Sequence, residues 1–329
     1  MTALPDMRLC ASPPATRSPR AGDLKPSTCS SPETGAVILQ VHQGSIMKIT
    51  DLTHLMNVHT PGWVGYAGNQ MYYAQNLQTK RIVAQRIDSA LHVGTHIDGA
   101  MHGTDGMGDM ASYAMDFLVA PGAVVDVSSH MDDWAVITPA MIESSGVEVK
   151  EGDILILHTG WHRYWEGKPK QDLVRYFCMH PGGGLELLEW MIAKKIKWFG
   201  IDCGSGDHAM NTSIREMRPD LAKEFESRVG KSCGDYFGTF EYTHKSGRLV
   251  RDNIFPFHSL AFQHGIIHAE NVGGDIEMML NKRCIIGAFP WRYEGLEASP
   301  CRILCIEDAG ESVTAVGDVA NAIFGRRIG

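Results

Sequence analysis

Apolar and polar positions follow a regular pattern from Met47 onward, where MKITDLTH opens the first patterned stretch. Short apolar runs bounded by Gly, Asp and Ser then recur: GAVVDVS at 122–128, GDILILHTGW at 152–161, FGIDCGSGDH at 199–208, HGIIHAENVG at 264–273, RCIIGAFPW at 283–291 and CRILCIE at 301–307. Their length and their wealth of Ile, Leu and Val predict strands. QTKRIVAQRIDSALHVGTHID, at 78–98, predicts one or two more. Helical patterns fall between them. One helix has Thr138 as its N-cap, Pro139 in its first turn and Gly146 just past its end. Another is the amphipathic GLELLEWMIAKKIKW at 184–198. Strands outnumbering interleaved helices predict an α/β domain with a mixed β-sheet and flanking helices.

Two regions depart from this rhythm. Residues 1–46 are rich in Pro, Ser and Thr and poor in large apolar side chains. Such a segment cannot bury enough surface to fold, so it reads as a disordered tail or a mis-annotated start, with Met47 as the natural first residue. Asp6, Asp23 and Glu33 argue against a transit peptide. Residues 47–329 then form one domain, with an insertion at about 206–257. That insertion carries SIREMRPDLAKEFESRVGKS, helical but interrupted at Pro219, and a hairpin around Ser246-Gly247. It reads as a lid or as an oligomer contact.

Composition narrows the function. The net charge of −8 and the lack of a basic stripe disfavour a nucleic-acid partner. No apolar run is long enough to span a bilayer, so no membrane partner is expected. Eight cysteines without a C-x-x-C pair or a secretory signal read as reduced thiols in a cytoplasmic protein. Cys301 and Cys305 are expected on one side of a buried strand.

The chemistry concentrates in ALHVGTHIDGAMHG, residues 90–103. His92, His96, Asp98 and His102 are all even-numbered, so in extended chain they share one face while Val93, Thr95 and Ile97 take the other. A helix would separate them, and Gly94 and Gly99 weaken one. Imidazole and carboxylate suit Zn2+ or Mn2+, and a three-ligand site leaves room for water. The same spacing also suits a hydrogen-bonded histidine cluster without metal. A second group, His258, His264, His268 and Glu270, lies in FPFHSLAFQHGIIHAENVGG, and spacing does not choose among its members. A serine hydrolase is disfavoured, because Ser205 lacks the G-x-S-x-G setting. HPGGG at 180–184 lacks the G-K-[ST] of a phosphate loop.

HVGTHIDGAMH resembles the H-x-G-T-H-x-D-x-P-x-H signature of the cyclase-like metal-dependent hydrolases, which include kynurenine formamidases and isatin hydrolases. DLTH, LHTGW, GIDCGSGD and HAEN follow in the family's order. Ala100 replaces the signature proline, and Asp202-Cys203-Gly204-Ser205 replaces the family's D-T-P-S. The resemblance implies a swivelling β/β/α-like fold and a homodimer or homotetramer. It implies that His92, His96 and Asp98 bind metal, with His258 and Glu270 completing a two-metal site bridged by Asp98. It assigns His102 as the catalytic acid/base, and leaves His264 and His268 as structural.

The expected function is cleavage of a C–N bond in a small cyclic or aryl amide, using one or two ions of Zn2+ or Mn2+. Trp63, Trp161 and Ser205 are candidate substrate contacts, with a core role for either tryptophan as the alternative. A lactone or ester hydrolase, a dehydratase, or a non-catalytic binding protein that keeps the fold are the competing classes.

Overall fold

Four strands lie side by side in parallel: Val119–Asp126, Ile154–His158, Trp198–Ile201 and Ile267–Glu270. They include the most continuously apolar runs of the chain, as strands covered on both faces require; all five residues of Ile154–His158 are buried. Lys282–Pro290 runs antiparallel to Val119–Asp126, and Ala298–Asp308 antiparallel to Lys282–Pro290. The short strand His96–Asp98 then pairs with both Ile267–Glu270 and Ala298–Pro300, closing a ring of seven strands among the described residues. Ile46–Asp51 adds to the outer part of Ala298–Asp308. The computed structural model describes residues 37–40, 46–104, 106–244 and 246–308. Cys10, Cys29 and most of the 1–46 stretch lie outside these. Within that stretch Val37–Gln40 pairs with Ile46–Asp51, so strand structure begins ahead of Met47.

In a closed sheet, alternate residues point inward and outward. Ile97, Val124, Ile156, Trp198, Ala269, Ile286 and Ile303, one from each of the seven strands, belong to one apolar cluster, which fills the ring. Cys284, Cys301 and Cys305 are buried in the same cluster, in keeping with a packing role. Leu155, Leu157, Phe199 and Ile201 face outward into a second cluster. Helix Leu185–Ala193 covers it with Leu187, Leu188 and Met191, and helix Pro219–Val229 with Leu221, Ala222 and Phe225. The predicted helix at 139 is present as Pro139–Ser144, with Thr138 extended at its N-cap and Gly146 at φ +76°. Pro219 starts a helix rather than interrupting one: Ile214–Met217 ends, and the proline takes the first position of the next. The predicted hairpin is formed by Phe240–Thr243 and Leu249–Asp252.

His208 anchors the inserted helices beneath Phe225 and Phe237. Its Nε2 donates to the Trp134 carbonyl at 2.8 Å, and its Nδ1 accepts from the Met210 N–H at 3.1 Å. The second contact requires the neutral ring. Burial accordingly pushes its pKa from 6.5 down to about 3. Between these values the unfolded chain takes up a proton that the folded chain refuses, so stability falls as pH drops. Denaturant unfolding at about pH 7 and about pH 5 should show this residue contributing a loss of about 2 kcal/mol between the two. His208→Gln should reduce the loss by that amount; an unchanged loss would rule out this source.

Candidate metal centre

The antiparallel register of His96–Asp98 and Ile267–Glu270 builds the site. His96 lies opposite Glu270 and Asp98 opposite His268, with Ile97 and Ala269 facing the ring interior between them. Four side chains bearing imidazole or carboxylate therefore converge on the outer face of two neighbouring strands. His96, Asp98 and His268 are fully buried, and Glu270 nearly so. His258 arrives from the other side, on the single π-helical turn Phe257–Ala261. The extended reading of the motif holds only over His96–Asp98. His92 precedes a turn at Gly94, φ +68°, and His102 lies on the one-turn helix Ala100–Gly103. Reversal of the chain, rather than strand periodicity, brings these two histidines in. Ala100 contributes what the signature proline cannot, a backbone N–H that donates to the Tyr113 hydroxyl at 2.7 Å.

Asp98 sits between two groups of ligand atoms. Its Oδ1 is 3.1 Å from His92 Nδ1 and 3.4 Å from His96 Nε2, and those two nitrogens are 3.1 Å apart. Its Oδ2 is 3.3 Å from His268 Nε2 and 3.8 Å from His258 Nε2. Glu270 Oε1 is 3.4 Å and 3.9 Å from the same two nitrogens. Three of the imidazoles are held from behind. His96 Nδ1 donates to the Gly94 carbonyl at 2.9 Å, His258 Nδ1 to Asp207 at 2.6 Å, and His92 Nε2 to Glu297 at 2.9 Å. Each outer nitrogen thus carries a proton, and each inner nitrogen turns a lone pair toward Asp98. Such outer partners fix tautomer and orientation in metal sites.

The residues fit a metal. Both oxygens of Asp98, both ring nitrogens of His268 and Oε1 of Glu270 are buried with no hydrogen-bond partner among the described residues. Leaving such groups unsatisfied is costly. The separations of 3.1–3.4 Å around Asp98 Oδ1 match adjacent vertices of a polyhedron with bonds of about 2.1 Å. Without a metal, the lone pairs recruit protons instead. Burial would lower His92, but Asp98 and Glu297 raise it to about 11. Burial would likewise lower His268, yet Asp98 and Glu270 raise it to about 9. Burial would raise Asp98, and the imidazoles of His92 and His96 hold it well below the usual carboxylate range.

A cavity of about 390 Å³ opens onto this cluster, lined by Trp63, Tyr66, His92, His102, Gly103, Ser213, Phe255, His258, Ser259 and Glu270. Tyr66 stacks on His92, with ring centroids 5.2 Å apart. The insertion supplies Ser213 and Phe255 to the wall. Of the three expected substrate contacts, only Trp63 lines this cavity. Trp161 is buried in the outer cluster, its indole N–H donating to the Arg175 carbonyl at 3.1 Å. Ser205 is buried behind the site, accepting from the Asp207 N–H at 3.2 Å, and so supports the carboxylate that holds His258. His264 is exposed and apart from the cluster.

Three residues escaped the sequence reading. His268, expected to be structural, stands among the ligand atoms. Its spacing of two from Glu270 in an apolar strand is the signal that finds it. Asp207 and Glu297 act through other residues and leave no such signal. Glu297 Oε2 accepts from His92 and lies 3.1 Å from His102 Nδ1.

The family model described as "Putative cyclase" matches residues 50–208. A search of curated proteins found no match. Among solved structures, isatin hydrolase A from Labrenzia aggregata bound to benzyl benzoate is 18% identical, with a TM-score of 0.60 over 80% of this chain and 94% of that one. Isatin hydrolase A from Ralstonia solanacearum is 16% identical, with a TM-score of 0.60 over 80% and 92%. A potential metal-dependent hydrolase with cyclase activity is 19% identical, with a TM-score of 0.51 over 79% and 98%.

Gly103 lets the His102 helix touch the His258 turn, because a Cβ there would meet the His258 carbonyl oxygen. Gly103→Ala should therefore cost about 1–3 kcal/mol of stability in denaturant melts. It should also weaken metal binding by displacing His258. Unchanged values of both would show that the contact yields freely.

Proposed function

We propose that the chain is a member of the cyclase family, whose model matches residues 50–208, and that it is a metal-dependent hydrolase cleaving the C–N bond of a small amide, cyclic or aryl. The observation that carries this reading is the mutual approach of His92 Nδ1, His96 Nε2 and Asp98 Oδ1, three lone-pair donors within 3.4 Å of one another. His92, His96 and Asp98 would hold one ion of Zn2+ or Mn2+. Asp98, His258, His268 and Glu270 could hold a second. Such an ion, when bound, supplies a Lewis acid and lowers the pKa of water.

The chain's own groups do the remaining work. His102 lies at the cavity wall with its Nδ1 against Glu297, which leaves Nε2 to move the proton. That nitrogen takes a proton from the attacking water and returns it to the leaving nitrogen. Glu297 is a positioning residue that fixes the tautomer of His102 as it does that of His92. Trp63, Tyr66 and Phe255 give the cavity apolar aromatic walls, which favour a flat or cyclic substrate and exclude water from its far side.

We also propose a homo-oligomer. Gln70–Gln75 and Ala84–Asp88 form a two-stranded ribbon whose residues are exposed on both faces, among them Tyr73 at 66%, Ile87 at 61% and Met71 at 42%. An isolated ribbon is marginal in water, and a contiguous exposed apolar surface favours a protein contact. The ribbon leads directly into the His92 segment, so a second copy covering it would sit beside the cavity. No helix among the described residues is long and apolar enough to cross a membrane.

Asp98→Ala should bind fewer ions of Zn2+ or Mn2+ per chain than the wild type, by the number that the His92–Glu270 cluster holds. His102→Gln should keep the metal and lower turnover of formamides and cyclic amides by about 10²–10⁴-fold. Wild-type turnover in His102→Gln would remove this residue from the mechanism. Preference for lactones over amides would redirect the substrate class. For the oligomer, Tyr73→Lys with Ile87→Lys should shift the mass in light scattering to that of one chain; an unshifted mass would exclude the ribbon as the contact.

A further inference from the structure

A second cluster of imidazoles and carboxylates lies apart from the His92–His102 cavity, at the C-terminal ends of three neighbouring parallel strands. His158 ends Ile154–His158, Asp126 ends the strand beside it, and Asp202 follows Trp198–Ile201 on its other side. His162 joins them from the 3-10 turn Trp161–Tyr164. His158 and Asp202 are fully buried and His162 nearly so. We propose that His158, His162 and Asp202 form a further binding site for a divalent transition-metal ion of the zinc class.

The geometry supports three ligands. Asp202 Oδ2 is 2.9 Å from His162 Nδ1 and 3.9 Å from His158 Nε2, and one ligand atom from each residue lies within 4.8 Å of the others. His158 Nε2 is buried and has no hydrogen-bond partner among the described residues, so a ring with no solvent contact turns a bare nitrogen toward a carboxylate. Each imidazole is backed on its outer nitrogen. Asp126 Oδ1 is 2.8 Å from His158 Nδ1, and Glu277 Oε1 is 3.5 Å from His162 Nε2. The Asp126 bond fixes the His158 ring for metal ligation, as Glu297 and Asp207 fix theirs in the first site.

Asp202 is held rigidly enough to serve. Its Oδ1 accepts from the Thr159 N–H and hydroxyl, and its Oδ2 from the Gly160 N–H at 2.9 Å. Oδ2 also accepts from the His162 N–H at 3.4 Å, and its remaining short contact is with the His162 ring at 2.9 Å. A metal would replace the proton shared there. The charge balance favours a cation: Arg163 pairs with Glu277 at 2.9 Å, which leaves Asp126 and Asp202 against two imidazoles. Glu277 is 57% exposed beside His162, so an ion has a route inward from solvent.

The test strips the full-length protein with a chelator, re-equilibrates it with Zn2+ and counts bound ions per chain by elemental mass spectrometry. Co2+ serves as an absorbing substitute. A variant with Asp98→Ala and His268→Ala empties the first site. It should retain about one equivalent of Zn2+ and give a visible Co2+ band. Adding His158→Gln or, separately, His162→Gln should abolish both signals. The proposal is overturned if the first-site variant binds no ion, or if its ion survives both added substitutions. His162→Gln, at the edge of the cluster, decides the matter if His158→Gln fails to fold by circular dichroism. The result is independent of the first site: equal metal content in Asp98→Ala and wild type would sink the proposed function while leaving the His158-dependent ion to be counted.

Discussion

His96 lies opposite Glu270 and Asp98 opposite His268 across two strands only three and four residues long. A slip of one residue would turn Ile97 or Ala269 outward and drive a carboxylate into the apolar interior of the ring. The two sides of the register therefore protect each other. Ile97 and Ala269 are held inside by apolar packing, and this alone obliges four polar side chains to share the outer face. Burial of those four creates the demand for a cation, because neither Asp98 oxygen has a hydrogen-bond partner among the described residues. Packing thus comes first, and the cluster that could hold a cation is its consequence.

The outer hydrogen bonds turn a polar cluster into a set of ligands. A neutral imidazole has one donor and one acceptor nitrogen, and either can face inward. Gly94, Asp207 and Glu297 each occupy the outer nitrogen of a different ring and so choose the inner lone pair. Glu297 does this for His92 while also touching His102. One carboxylate therefore orients both the His92 and the His102 ring, and displacing it would disturb both.

Much of this architecture is legible in the sequence. The apolar runs at 122–128, 154–158 and 199–201 become strands because their composition suits burial on two faces. The even spacing of His96 and Asp98 gives their shared face directly. What periodicity cannot give is what happens where the period breaks. Gly94 and the helix at Ala100 redirect the chain, and His92 and His102 return by turns whose direction no alternation encodes. The even spacing of His268 and Glu270 carried the same signal as the leading motif, yet the abundance of nearby histidines masked it. Glu297 is beyond local reading altogether. It precedes a strand start, Ala298, whose pairing with Asp98 joins residues two hundred positions apart. Trp161 misleads for a related reason: an aromatic after a strand end suits a pocket wall as well as a core, and only the helix carrying Arg175 settles it in the core.

The strand that bears His96 and Asp98 is also the one that closes the ring. Its three residues are few to hold a seam, since each side contributes only a short ladder of backbone bonds. The side chains reach across that same seam. His96 and Asp98 belong to the closing strand, His268 and Glu270 to its neighbour, and His258 to the turn above. A cation held among them ties the closing strand to the rest of the sheet, and anything that binds the folded chain alone stabilises it. The weakest joint of the ring and the centre of its chemistry therefore coincide. Buried acceptors that would weaken the seam when empty become its fastening when a cation is shared between them.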